Sequence, residues 1–317
     1  MELPFVTFDV FTTTRYRGNP LAVVTIPAGV PKPSQLQKQL VAREFNLSET
    51  VFVHDEADHD VKHRQIDIFL THAEIPFAGH PVIGSAVSLM PLGVQTLITK
   101  AGPIAITNIS SDAHGHDGLH TVVQAAIPHN VRLHANRLRN LDSDPSLARI
   151  SAQPAAVVEA SLQSPIYSIV LGMSFILVEL PSLELLGQVQ RTGGPDYPVD
   201  KLLDQGWQTG FLGNYYFVRT AAPRDEAGRR HISLRTRMIE GTLEDPATGS
   251  AASALCSYLS TTEHTHPDQS FQYDITQGVE MGQDSNISIR IQLKDGKVDE
   301  LYLSGTAVQV MKGTLTI

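Results

Sequence analysis

Residues Phe5 to Phe11 alternate apolar and polar side chains, the two-residue period of a half-buried strand. Thr12 to Gly18 is a loop rich in Thr and Arg. Gly18-Asn19-Pro20 then turns the chain into the apolar run Leu21 to Val24, a second strand. The period changes at Ser34-Gln35-Leu36-Gln37, a capping box, after which Leu36, Leu40, Val41 and Phe45 recur at helical spacing. Asn46 tolerates the left-handed conformation and should end that helix. Leu47 to Val53 passes from loop into a β-branched strand, and Arg64 to Leu70 is another. Further strands are expected at Ile98 to Ile109, broken by a turn at Ala101-Gly102-Pro103, and at Leu119 to Ile127.

From His129 to Pro154 the periodicity fades into Asn, Asp, Arg, Ser and Pro, the composition of an interdomain crossing. Strand patterns resume at Tyr167 to Leu171 and Phe175 to Leu180. Ser182 caps a helix to about Gln190, and strands follow at Tyr215 to Val218, Ile232 to Arg235, Phe271 to Thr276, Ile287 to Leu293 and Leu301 to Leu315. One long helix per half among many strands predicts an α+β chain of two pseudo-symmetric domains, each a curled mainly antiparallel sheet around a central helix. The expected boundaries are 1–128, with a strand near 303–317 returning to it, and 129–302.

Both central helices open on a similar phrase, Gly79-His80-Pro81-Val82-Ile83-Gly84-Ser85-Ala86 and Glu244-Asp245-Pro246-Ala247-Thr248-Gly249-Ser250-Ala251. Aligned on Pro81 and Pro246, each shows an ionisable residue, Pro, two residues and Gly-Ser-Ala. A proline at the first helical position loses no hydrogen bond, which places His80 and Asp245 at or beside the N-caps. The small residues beyond leave backbone N–H groups open to an anion at the positive end of the helix dipole. A single such start would read as structural, because caps are common. Two of them facing each other would enclose a polar cleft suited to proton transfer.

The length favours two domains, and 42% apolar residues can fill a core in each. A formal charge of −9 with scattered basic residues gives no reason to expect nucleic acid or membrane partners. The first ten residues lack a basic region followed by an apolar stretch, and no run reaches membrane-spanning length, so a soluble cytoplasmic protein is expected. The sole cysteine, Cys256, rules out an internal disulfide and lies in an apolar helix, where a buried structural thiol is the simpler reading.

Asn19 is a candidate to orient a substrate carboxylate or amide, although an Asn before Pro also serves a tight turn. Glu49 stands at a strand mouth between apolar neighbours, where desolvation would raise its pKa toward acid/base use; a surface charge at a strand end is the alternative. The histidines between His54 and His63, and His114, His116 and His120, fall in polar loops without metal-ligand spacing, so no metal is expected.

Several segments together resemble one family: Gly18-Asn19-Pro20-Leu21-Ala22-Val23-Val24, Leu47-Ser48-Glu49-Thr50, Phe77-Ala78-Gly79-His80-Pro81, Glu244 to Ser250, Gln277-Gly278-Val279-Glu280-Met281-Gly282 and Ser304-Gly305. They are similar to the PhzF family, the phenazine-biosynthesis isomerases and their relatives, over nearly the whole chain. The resemblance implies a diaminopimelate-epimerase-like fold with the site between the halves, no metal or organic cofactor, and a homodimer. It also implies that Glu49 is the acid/base, that His80 and Asp245 are its partners, and that Ser48, Gly79, Gly249 and Ser250 meet the substrate.

The related epimerases use two cysteines, and the equivalent positions are expected to hold His80 and Asp245, which excludes thiol chemistry. One departure is Gln283-Asp284 after Met281-Gly282, where the family commonly has Arg-Pro; this bears on the substrate more than the chemistry. The expected activity is a cofactor-independent isomerase moving a proton on a small carboxylate-bearing metabolite. An epimerase, lyase or rearrangement enzyme on the same scaffold, and a non-catalytic ligand-binding protein, are the alternatives.

Overall fold

The computed structural model describes residues 1–55, 61–110, 121–226 and 228–317. The chain divides into two compact units. The first comprises Met1–Pro128, Gly282–Asn286 and Tyr302–Ile317; the second comprises His129–Met281 and Ile287–Leu301. Among the described residues no helix is long and apolar enough to cross a membrane.

In the first unit, strand Glu2–Val10 lies antiparallel between Ala307–Thr316 and Asn19–Ile26. Asn19–Ile26 runs parallel to Thr50–His54, so a crossover must join them, and the helix Gln35–Phe45 supplies it. Ser34 and Gln37 form the capping box, and Asn46 closes the helix at φ 51°. His63–Phe69 follows antiparallel to Thr50–His54, carries the short hairpin partner Glu74–Ile75, and pairs in parallel with Thr96–Thr99. The helix Gly79–Leu89 is buried on almost every side, as a helix enclosed by a curled sheet must be. Gly84 permits that fit: a Cβ there would stand 2.5 Å from Leu21 and 2.9 Å from Val10.

The second unit repeats the plan strand for strand. Ile166–Val170 pairs antiparallel with Met173–Glu179, which runs parallel to Phe211–Arg219. Phe211–Arg219 is antiparallel to Arg229–Glu240, which carries the hairpin partner Leu243–Asp245 and pairs in parallel with Ser270–Gln277. The helix Gly249–Glu263 takes the enclosed place.

Several expectations change on contact with tertiary structure. Leu36 and Leu40 do not face the core; they are 68% and 49% exposed, while Lys38 and Ala42 turn inward. Val41 and Phe45 pack with Ala42 on the core, and on the same face Lys38 Nζ lies 2.6 Å from Asp67, which also takes His54 Nε2 at 2.7 Å. His54 therefore belongs to a buried strand rather than to a polar loop. Residues 56–60 and the histidines 114, 116 and 120 lie outside the described residues.

The stretch from His129 to Pro154 is not a bare crossing. It carries Arg132–Leu133 and short helical turns at Leu138–Leu141, Pro145–Leu147 and Ala148–Ser151, and it sends Leu138, Leu141 and Ile150 into the second unit's core. An additional helix, Ala155–Gln163, follows. The helix capped by Ser182 ends at Gly187 rather than near Gln190. The last expected strand is two, Lys297–Gly305 and Ala307–Thr316.

The repeat is also in a different register from the one read along the sequence. Gly79 and Gly249 are each the first residue of their helix, and each follows a hairpin strand, a proline and two further residues. Pro76, not Pro81, is thus the counterpart of Pro246, and Glu74-Ile75-Pro76-Phe77-Ala78-Gly79-His80 aligns position for position with Glu244-Asp245-Pro246-Ala247-Thr248-Gly249-Ser250. Strand pairing agrees, with Ile75 opposite Ile68 and Asp245 opposite Met238. His80 is therefore equivalent to Ser250, and Asp245 to Ile75. The N-caps are Ala78 and Thr248, so neither ionisable residue is a cap. Pro81, at the third helical position, still costs no hydrogen bond because a helix's first N–H groups have no intrahelical acceptor.

Candidate active site

In the first unit Asn19, Ser48, Glu49 and His80 come together. The left-handed turn at Asn46 swings the chain from the helix into Thr50–His54 and leaves Glu49 at the strand mouth. Its side chain is 13% exposed, and Oε2 lies 3.5 Å from His80 Nδ1. The same ring nitrogen is 3.4 Å from Asn19 Nδ2, and the Ser48 hydroxyl donates to Asn19 Oδ1 at 3.3 Å. Asn19, at the start of its strand, is buried and borders His80.

Glu49 Oε2 has no hydrogen-bond partner among the described residues. Desolvation is the main cause that raises the carboxyl from its ordinary 4.5 to about 7, with the Ser48 hydroxyl pulling the other way. A carboxyl poised there is available both as acid and as base near neutral pH.

In the second unit Asp245 ends the strand Leu243–Asp245 and is half-buried. Its Oδ2 accepts the Thr248 hydroxyl at 2.6 Å. The fully buried Gln277 donates through Nε2 to the Asp245 backbone carbonyl at 2.7 Å and to Thr248 Oγ1 at 3.0 Å. Gln277 Oε1 accepts the Thr248 backbone N–H at 3.3 Å and the Tyr215 hydroxyl at 3.1 Å. Next to Asp245, the buried Glu244 takes a two-pronged bond from Arg237, at 2.7 and 2.9 Å, and Arg237 also donates to the carbonyls of Leu186 and Val189.

Gly249 and Ser250 open the helix and are buried, and Ala252 makes the first intrahelical bond to the Thr248 carbonyl. The corresponding first bond in the other unit runs from Val82 to Ala78. Gly84, Ser85 and Ala86 therefore lie inside the helix body rather than at an anion-facing start. The second helix start keeps three first-turn N–H groups, on Gly249, Ser250 and Ala251; the first loses one to Pro81.

Cys256 is free and buried, and its surroundings push the thiol pKa up, consistent with a packing role. Among the described residues no three His, Cys, Asp or Glu side chains converge as a metal-ligand set. Just before Gln283-Asp284, the guanidinium of Arg17 donates to the Gly282 carbonyl. Sequence reasoning gave Thr248 and Gln277 no role; a threonine three residues after Asp245 was the local signal for the first, and the bonds of Gln277 come from a strand distant in sequence.

The family model for phenazine biosynthesis-like proteins matches residues 8–313. The chain belongs to that family. An uncharacterized isomerase of Mesorhizobium japonicum is 31% identical, over 99% of this chain and 98% of the relative. The trans-2,3-dihydro-3-hydroxyanthranilate isomerase of Pseudomonas chlororaphis is 28% identical, over 99% of both chains. A solved PhzF-family structure from Bacillus anthracis is similar in fold, with a TM-score of 0.68 at 19% identity over the full length of both chains. The chain is thus a PhzF-like isomerase acting on a small molecule, and its fold is of the diaminopimelate-epimerase-like α+β class.

Proposed function

We propose that this isomerase moves a proton between two carbons of a small carboxylate-bearing metabolite without a cofactor, and that Glu49 carries the proton. The supporting observation is the desolvated Glu49 carboxyl set against the His80 ring. Ionised Glu49 takes a proton from an acidic carbon; the bond electrons pass into the substrate's conjugated carbonyl or carboxylate. The proton on the carboxyl exchanges with solvent, and protonated Glu49 then delivers a proton at a second carbon, restoring the enzyme. His80, steadied by Asn19, relays that exchange while the intermediate is held.

Asp245 is proposed as the acid/base group of the second helix start, with Ser250 and the first-turn N–H groups of Gly249 and Gly79 as substrate contacts. Such preorganised donors stabilise developing oxyanion charge by several kcal/mol, about 3 for a single well-placed one.

The test uses trans-2,3-dihydro-3-hydroxyanthranilate as a probe in deuterated water. The expected result is isomerisation with solvent deuterium entering the product, abolished in Glu49→Gln with folding intact. Retained exchange in Glu49→Gln would remove Glu49 from its role. Deuterium entry with inversion at the original carbon would replace isomerisation by epimerisation.

A further inference from the structure

We infer that Gln277 is a positioning residue that acts through Thr248 to fix the rotation of the Asp245 carboxylate and to keep it ionised. The inference rests on the reading of Asp245 as an acid/base group. Its basis is the direction in which each hydrogen bond must run.

The two N–H bonds of the Gln277 amide go to the Asp245 carbonyl and the Thr248 hydroxyl oxygen, and its oxygen receives the Thr248 N–H and one hydroxyl proton from the bonded Tyr215–Thr236 pair. Turning the amide over would set its NH2 group against the Thr248 N–H and its oxygen against the Asp245 carbonyl. The amide therefore has one orientation.

That orientation decides the next bond. Thr248 Oγ1 accepts from Gln277, so its own proton points at Asp245 Oδ2, 2.6 Å away. Gln277 Nε2 cannot accept, and a proton on Asp245 Oδ2 would leave the Thr248 proton facing a donor. The relay Gln277 to Thr248 to Asp245 thus favours the anion. It is also anchored at both ends of the turn, because Gln277 bonds the backbone of residue 245 and of residue 248. Gln277 is 0% exposed and belongs to the parallel strand Ser270–Gln277, so the clamp is rigidly seated.

The test compares Thr248→Val, Thr248→Ser and Gln277→Leu. With the dihydro-hydroxyanthranilate probe, Thr248→Val and Gln277→Leu are expected to lower kcat about 10- to 100-fold with KM little changed, and to move the acidic limb of the rate profile to higher pH. Thr248→Ser should restore both, which a merely structural threonine would not require. Independently of turnover, carbon-13 NMR of aspartate side-chain carboxyls, with the Asp245 signal assigned through Asp245→Asn, should show Asp245 taking up its proton at higher pH in Thr248→Val than in the parent.

An unchanged Asp245 titration in folded Thr248→Val overturns the inference, whether or not the probe is turned over. A moved titration in a protein that never exchanges the probe's protons keeps the clamp and sinks the catalytic reading. Should Gln277→Leu fail to fold, Thr248→Val alone decides.

Discussion

The two helix starts, at 74–80 and 244–250, share a backbone and differ in where each puts its chemistry. Both run from a hairpin strand through a proline to a glycine that opens the buried helix. In the first, the polar side chain is His80, one residue into the helix, and it answers to a carboxylate from a different strand. In the second, it is Asp245, still on the strand, and its partners come from its own turn and from Gln277. The repeat preserves the path of the chain and the glycine at the first helical position. The ionisable side chains are then set at non-equivalent positions, so each half presents a different group from one frame.

The glutamates preceding the prolines show the same divergence in their support. Glu244 is locked by the buried Arg237, whereas Glu74 is held by Lys100, which is 58% exposed, and by Gln35. The sharpest test of this contrast is Arg237→Leu, which strands a buried carboxylate and should cost about 3–5 kcal/mol in urea denaturation. Lys100→Met should cost less, because Lys100 is 58% exposed and the Glu74 carboxylate, itself 7% exposed, keeps its bond from Gln35. Equal losses would erase the distinction.

A smaller effect separates the halves by pH. Glu49 is raised from 4.5 to about 7 in the folded chain, so stability is lost as pH rises through that window. Glu49→Gln should therefore stabilise the protein by about 1–3 kcal/mol at pH 8, by the linkage value of a pKa shift discounted for its coupling to His80. The gain should vanish below pH 4.5, where both states are protonated. A pH-independent change in denaturation midpoint would contradict the desolvated setting of Glu49.

Comparable in size is Gly84→Ala. A Cβ there meets Leu21 and Val10, while the matching place in the second helix already holds the fully buried Ala254. Overpacking of this kind costs about 1–3 kcal/mol, and a thermal melt at unchanged pH reads it.

The smallest effect belongs to the second unit. His134 donates to Ser168 at 2.8 Å and accepts the Asp204 N–H at 3.0 Å, and burial pushes its pKa down against the pull of Asp204. The unfolded chain takes up the proton near pH 6.5 and the folded one resists, so stability should fall as pH drops below that point, by no more than about 1.4 kcal/mol per pH unit. His134→Gln should flatten that limb of the stability curve.

Much of the local architecture was legible. The capping box at Ser34 and the stop at Asn46 follow from short-range hydrogen bonding, which a sequence states directly. The register of the repeat did not, because the first copy offers two prolines. Local chemistry tolerates Pro before a helix and at its third position alike, and Gly84-Ser85-Ala86 imitates Gly249-Ser250-Ala251. Only the pairing of Ile75 with Ile68 and of Asp245 with Met238 decides between them.

The face of the first helix was half legible: Val41 and Phe45 pack against the core, and Leu36 and Leu40 do not. Leu36 and Leu40 carry the helical period, but the inward face is 38, 41, 42 and 45, where Val41, Ala42 and Phe45 pack on the core and Lys38 pairs with Asp67. Glu49 and His80 could be singled out as types suited to proton transfer; the bonds of Thr248 and Gln277 depend on a strand distant in sequence.

The strand Ala307–Thr316 zips onto Glu2–Val10 across about 300 intervening positions. On the ribosome, Glu2–Val10 must therefore wait with one edge unsatisfied until residues 307–316 have been made, while most of the second unit has already emerged. Synthesis speed and chaperone cover would then govern yield through that waiting edge, which is open to mispairing with neighbouring nascent chains.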